Sequence, residues 1–203
     1  MAQDKFSVSY DTNIKIYDNV TGKLVSEGKN AVHPRNMATA LARGLSNAAN
    51  GQVFKIKLGN QGTYVDATQQ IVFRAPNVSA LDADLYNPTY AEIVDDSSSS
   101  VGVGNSVTYT NIPNTTNTRV VITAVVDATE AINASTDTIP AGGTTNPQST
   151  FFFDELGLFT QGTGVNLLNQ TDEMLLTHYV FSPIEHTGNR EFTIVYSLTI
   201  SVS

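Results

Sequence analysis

Cysteine and tryptophan are absent from this 203-residue chain. Without cysteine there is no disulfide framework, no thiol nucleophile and no Cys-ligated zinc or iron–sulfur site. Without tryptophan, a sugar-stacking platform has to rely on Tyr or Phe. Charge is scarce as well. Asp, Glu, Lys and Arg make up 15% of residues, against about 25% in ordinary soluble domains, and no lysine follows Lys57. No run approaches the roughly 18 apolar residues that would cross a bilayer. The first residues, Met1 to Lys5, carry no apolar core of a secretory signal, so synthesis in the cytosol without membrane insertion is expected. Catalytic signatures are missing too: there is no G-x-S-x-G elbow and no H-E-x-x-H zinc helix. The glycine pairs Gly102/Gly104 and Gly162/Gly164 fall in strand or loop rather than at the start of a helix, so neither reads as a phosphate cradle.

What fills the chain instead is neutral and polar. Ser, Thr and Asn together number 59, which predicts a hydrogen-bonding surface rather than a salt-bridged one. The formal charge of −8 is unevenly spread. Residues 1–60 hold 8 Lys/Arg against 4 Asp/Glu, a net +4, and residues 61–203 hold 3 against 15, a net −12. Such polarity suits docking of the basic end on an acidic neighbour, including the acidic region of another copy. The basic residues form no run or aromatic-interleaved patch, so nucleic acid is not an expected partner.

Alternation of apolar and polar residues dominates the pattern. Phe6, Val8 and Tyr10 share one strand face, Asp11-Thr12-Asn13 reads as a turn, and Ile14 and Ile16 belong to a second strand. From Pro34 to about residue 49 the period changes, with Met37, Ala40, Leu41, Leu45 and Ala48 on one helical stripe and Asn50-Gly51 as a left-handed stop. Gly44 in mid-helix reads as a close packing contact. In Val53-Phe54-Lys55-Ile56-Lys57-Leu58 the lysines are expected to point outward and the apolar residues inward. Further strands are expected at 71–73, 101–110, 119–126, 150–159, 173–181 and 190–202, with loops over 79–100 (where a strand around Tyr90–Val94 is left open), 111–118 and 127–150. About eight to ten strands and one helix make the fold class mainly β, a single antiparallel β-sandwich or jelly-roll-like barrel domain.

Candidate chemistry is sparse. His178 reads as a half-exposed strand histidine, and Glu185-His186 as a solvated turn. The segment Asp82-x-Asp84-x-x-Asn87 clusters oxygens that a calcium ion would want, yet it breaks the EF-hand pattern, with Asn87 at position 6 and Ile93 at position 12. Solvated carboxylates are the expected state. Glu155, in line with Phe151 and Phe153 on a regular strand, belongs either at the strand's rim or in a pair with a basic residue across a subunit boundary. No metal or cofactor is expected.

One stretch resembles a family. Phe151-Phe152-Phe153-Asp154-Glu155-Leu156-Gly157-Leu158-Phe159, the later Phe181-Ser182-Pro183-Ile184, and the final alternating strand look like the closing strands of tailed-bacteriophage virion structural proteins of the neck, tail and head-surface kind. Gly28-Lys29-Asn30, the helix and Ile56-Lys57-Leu58-Gly59-Asn60 resemble their opening, and the chain departs from the pattern at Glu185. The resemblance implies a non-enzymatic building block located in the virion, contacting its own copies and other virion proteins, with no small-molecule substrate. Interface candidates on this reading are Lys55, Lys57, Glu155, Asp82 and Asp84. Two alternatives come from other classes: a carbohydrate- or receptor-binding module of a fibre, using Tyr64, Tyr86, Tyr90 and Tyr109, and an Asp/Glu-dependent hydrolase.

Overall fold

Strict alternation builds the middle of the first sheet. In β12 (Phe192–Val202), Phe192, Ile194, Tyr196 and Leu198 are buried while Thr193, Val195, Ser197 and Thr199 lie half-buried on the opposite face. The computed structural model describes residues 7–80, 82–95, 97–98, 100–128 and 151–202. β1 (Val8–Asp18) runs antiparallel to β12 along its full length, from Val8 opposite Val202 to Asp18 opposite Phe192. With β2 (Lys23–Gly28), β9 (Asn117–Val126) and β8 (Ser106–Asn111) they form sheet A, in the order β2-β1-β12-β9-β8.

Sheet B has the order β3-β11-β10-β4-β7, made of β3 (Ala31–Val32), β11 (Leu175–His186), β10 (Phe151–Thr160), β4 (Val53–Gly59) and β7 (Pro88–Ile93). All pairings in both sheets are antiparallel. A two-stranded ribbon, β5 (Thr63–Val65) with β6 (Ile71–Phe73), stands apart from them. Ile14, Ile122 and Ile194 of sheet A pack with Ile56, Leu156 and Phe181 of sheet B in one core. Each such side chain contributes about 1.5–3 kcal/mol by leaving water. Tyr196 sits in this core with no exposure, and its hydroxyl accepts from the Asn30 amide. Among the described residues the fold is a mainly β sandwich with one helix, as the alternation predicts.

That helix, α1 (Pro34–Leu45), begins with Pro34 in its first turn and with the His33 ring accepting the Asn36 N–H at 3.2 Å. It ends four residues before the expected boundary. Asn47 takes a left-handed φ of 53°, and the Ala48 N–H returns to the Arg43 carbonyl at 2.9 Å, which closes the last turn early.

Several other expectations change. Asp11-Thr12-Asn13 is no turn: β1 passes straight through it because Thr12 continues the inward phase and donates to the Asn30 carbonyl at 3.2 Å. A methyl group on Gly44 would meet nothing within 4 Å, and the close contact falls at Gly51, where a Cβ would lie 2.8 Å from the Ala40 carbonyl oxygen. β11 continues through Ser182-Pro183-Ile184, so His186 is not in a solvated turn but buried, with its ring 6.0 Å from Phe153 and 5.6 Å from Phe192. Burial pushes its pKa down, partly countered by the Asp127 backbone. Phe153 and Glu155 do not share a face, since the β10–β11 register shifts between them and places Phe153 with Leu156 and Leu158 in the core. The strand position of Phe6 and most of the 127–150 loop lie outside the described residues.

Candidate functional site

The lysines of β4 do not reach solvent. Sheet B is covered on its outer face by residues 74–80, 82–87 and 161–174, and Lys55, Lys57, Glu155 and His178 all have 0% exposure there. Register explains how they fit. Lys57 lies opposite Gly157, which in turn lies opposite His178, and Glu155 lies opposite Gly59. The space at Gly157 is taken by Leu175 and Phe159, and that at Gly59 by Glu155. A Cβ on Gly59 would come within 2.5 Å of Glu155 Oε1 and 2.6 Å of the Asn87 carbonyl oxygen.

Both ammonium groups are saturated. Lys55 Nζ donates to the Leu167 carbonyl and to Gln170 Oε1 at 2.8 Å, and forms an ion pair with Glu173. Lys57 Nζ donates to the Leu168 carbonyl at 2.9 Å, to Asp84 Oδ2 at 3.2 Å and to Glu173, and lies 4.3 Å from the centre of the Phe159 ring. Burial lowers the Lys55 pKa, and the Glu173 carboxylate works against that shift. Lys55 and Lys57, from the basic part of the chain, meet acids of its later part inside one molecule, whereas Lys15 and Lys29 pair with Glu27 and Asp11 of their own part.

Glu155 occupies neither a rim nor a subunit boundary. Its Oε1 accepts the Asn87 N–H at 2.9 Å, and its Oε2 accepts the Tyr86 N–H at 2.9 Å and His178 Nε2 at 3.1 Å. The Asn77 N–H donates to His178 Nδ1 at 2.8 Å, so the ring carries its proton on Nε2 and gives it to Glu155. His33 repeats the device. Its Nδ1 accepts from Asn36, which leaves Nε2–H to donate to the Ala80 carbonyl at 2.7 Å. Asp154, beside Glu155, accepts the Gly62 and Thr63 N–H groups at 2.8 and 2.9 Å and so anchors the β5–β6 ribbon. Burial raises its pKa, while the Thr63 bonds oppose that.

Together these side chains latch two loops onto a sheet. Of the expected interface residues, Lys57 and Asp84 meet each other, Lys55 joins them through Glu173, Glu155 belongs to the neighbouring histidine pair, and Asp82 alone is exposed. The Asp82/Asp84/Asn87 oxygens do not converge, because Asp84 turns to Lys57 and to the Leu85 N–H. Among the described residues no three potential metal ligands gather, and no helix is long and apolar enough to cross a membrane.

Sequence patterning gives little hint of a second feature. An apolar cleft of about 600 Å³ opens between α1 and the β8–β9 side of sheet A, with Leu158, Leu176 and Leu198 at its floor and Tyr109 and Leu45 among its lining. Its volume lies in the range of small-molecule sites, roughly 300–1,000 Å³. Its carboxylate, Asp95, is already held by the Ser97 N–H and hydroxyl. Apolar contact is what this cleft offers. Comparison of the chain with protein-family models, curated proteins and solved structures gives no match.

Proposed function

We propose that this chain is a non-enzymatic structural subunit of a bacteriophage virion, mediating assembly contacts at the neck, tail or head surface. The observation that carries the reading is the saturation of its interior acid–base groups. Lys55, Lys57, Glu155 and His178 spend their hydrogen bonds on latching residues 74–80, 82–87 and 161–174 to sheet B, and none of them lines the apolar cleft. Groups so engaged are suited to rigid loop display rather than to proton transfer. The resemblance of residues 151–159 and 181–184 to virion proteins adds a place for that rigidity. Density-gradient-purified particles from the phage that encodes the chain should contain it at a fixed ratio to the other particle proteins. Its absence from washed particles overturns the proposal.

One observation favours a second reading, recognition of a carbohydrate or receptor. Tyr64 and Tyr86, 48% and 37% exposed, flank Arg74, whose guanidinium lies 5.5 and 5.0 Å from their ring centres. Binding of the purified chain to a glycan array, lost in Tyr64→Ala, supports that reading, and no binding removes it.

A further inference from the structure

Sheet edges are templates for another chain, and native sheets usually blunt them with charge, proline, bulges or a covering segment. Among the described residues, three of the four edges of the two five-stranded sheets are blunted. β2 carries Lys23 and Glu27 and is bulged at Val25, where its pairing with β1 shifts register. β3 is two residues long. β7 opens with Pro88, and its outer side is met by the Gly102 N–H and the Asn105 amide, both donating to the Ile93 carbonyl.

β8 has none of these devices. Ser106-Val107-Thr108-Tyr109-Thr110-Asn111 contains no charge and no proline, and it pairs with β9 without a register shift. Among the described residues nothing pairs with its outer side. Ladder alternation identifies the free groups. The Ile112 N–H donates to the Asn117 carbonyl, so Thr110, Thr108 and Ser106 also turn their backbone toward β9, and Val107, Tyr109 and Asn111 turn theirs outward.

We infer that β8 is a self-pairing edge, on which a second copy of this chain adds its own β8 antiparallel about a two-fold axis at Tyr109. That register sets Tyr109 opposite itself and Val107 opposite Asn111 of the other copy, for about six main-chain hydrogen bonds. A neutral strand brings no like charges face to face when it meets itself. Tyr109 is 75% exposed and lines the apolar cleft with Val107 and Val120. Pairing therefore places two tyrosines over the mouths of two clefts and covers apolar lining that a lone chain leaves to water. This inference names the assembly contact of the role proposed above and rests on that reading.

Absence of cysteine makes the test clean. In Tyr109→Cys the two sulfurs face one another across a hydrogen-bonded pair with Cα atoms about 5.5 Å apart, within disulfide reach. In Thr110→Cys the same register separates equivalent Cα atoms by roughly 8 Å, beyond that reach. Mild oxidation of the full chains should give at least about tenfold more covalent dimer for Tyr109→Cys than for Thr110→Cys. Equal yields, or none, overturn the β8 contact. Tyr109→Pro removes an outward N–H and should reduce the light-scattering mass to that of a monomer while leaving the melting curve cooperative. A wild-type oligomer that persists in Tyr109→Pro overturns the β8 contact but leaves the structural role standing. A wild-type chain that is monomeric by light scattering and missing from purified particles overturns both.

Discussion

Replacing Glu155 by Gln changes one oxygen to an NH2 group and almost nothing in shape. The site nevertheless has donors on both sides: Asn87 N–H toward Oε1, Tyr86 N–H and His178 Nε2–H toward Oε2. An amide has one acceptor oxygen, so whichever way it is turned, at least one buried donor faces another donor. The ring cannot relieve this by moving its proton, because His178 Nδ1 is occupied by the Asn77 N–H. One orphaned buried donor costs about 1–3 kcal/mol. Loss of charge assistance on the remaining bonds adds about 1 kcal/mol. Glu155→Gln is therefore expected to lose about 2–4 kcal/mol, a large part of the 5–15 kcal/mol typical of a domain. In urea, with a slope near 2 kcal/mol/M, the midpoint should fall by about 1–2 M. Amide exchange should localise the damage, with Asn77, Tyr86 and Asn87 losing protection before sheet A does. A midpoint shift under about 0.3 M with those amides still protected would refute the latch.

Lys57→Met leaves Glu173 and Asp84 short of a buried cation and should cost about 3–5 kcal/mol. That loss should survive high salt because the Lys57 ammonium is buried, whereas a surface docking lysine would leave urea stability unchanged. Gly59→Ala drives a methyl group into Glu155 and the Asn87 carbonyl and should cost about 1–3 kcal/mol. Gly44→Ala, with open space and a helical backbone, should gain about 0.5–1 kcal/mol, and thermal melts of the two variants should move in opposite directions. The Arg190 hydrogen bonds hold the Asp18 carboxyl below its ordinary value of 3.8. Its stabilisation is thus present above that value and lost as pH falls through the lower, folded one. Asp18→Asn should flatten the acid limb of a urea-midpoint profile below about pH 4 and leave the neutral limb parallel to wild type; an unchanged acid limb would contradict the assignment.

Periodicity made sheet A legible. Phe192 to Ile200 alternates so cleanly that face, core and strand type follow from spacing alone. Lys55 and Lys57 were misleading for a physical reason. Alternation distinguishes two faces of a strand, but it does not say that the second face meets water. Here it meets loops, and the covering carboxylates Glu173 and Asp84 lie 116 and 27 residues from Lys57 along the chain. His178 and Glu155 were misplaced on the same ground. A signal lies in Gly59, the small residue set beside Glu155, but only strand register turns it into an arrangement. Continuity of β1 through Asp11-Thr12-Asn13 shows the limit of turn composition, since polar residues that keep the two-residue phase remain a strand.

The last strand in the sequence lies in the middle of sheet A, between the first strand and the ninth. Until residue 202 has been synthesised, β1 and β9 have no common neighbour, and the β8–β9 hairpin carries two bare sides instead of one. Pairings this distant in sequence close slowly, in milliseconds to seconds. A nascent chain therefore exposes an additional strand edge at the stage when sibling chains on the same message are nearest. Arrival of β12 removes that edge by inserting between the two.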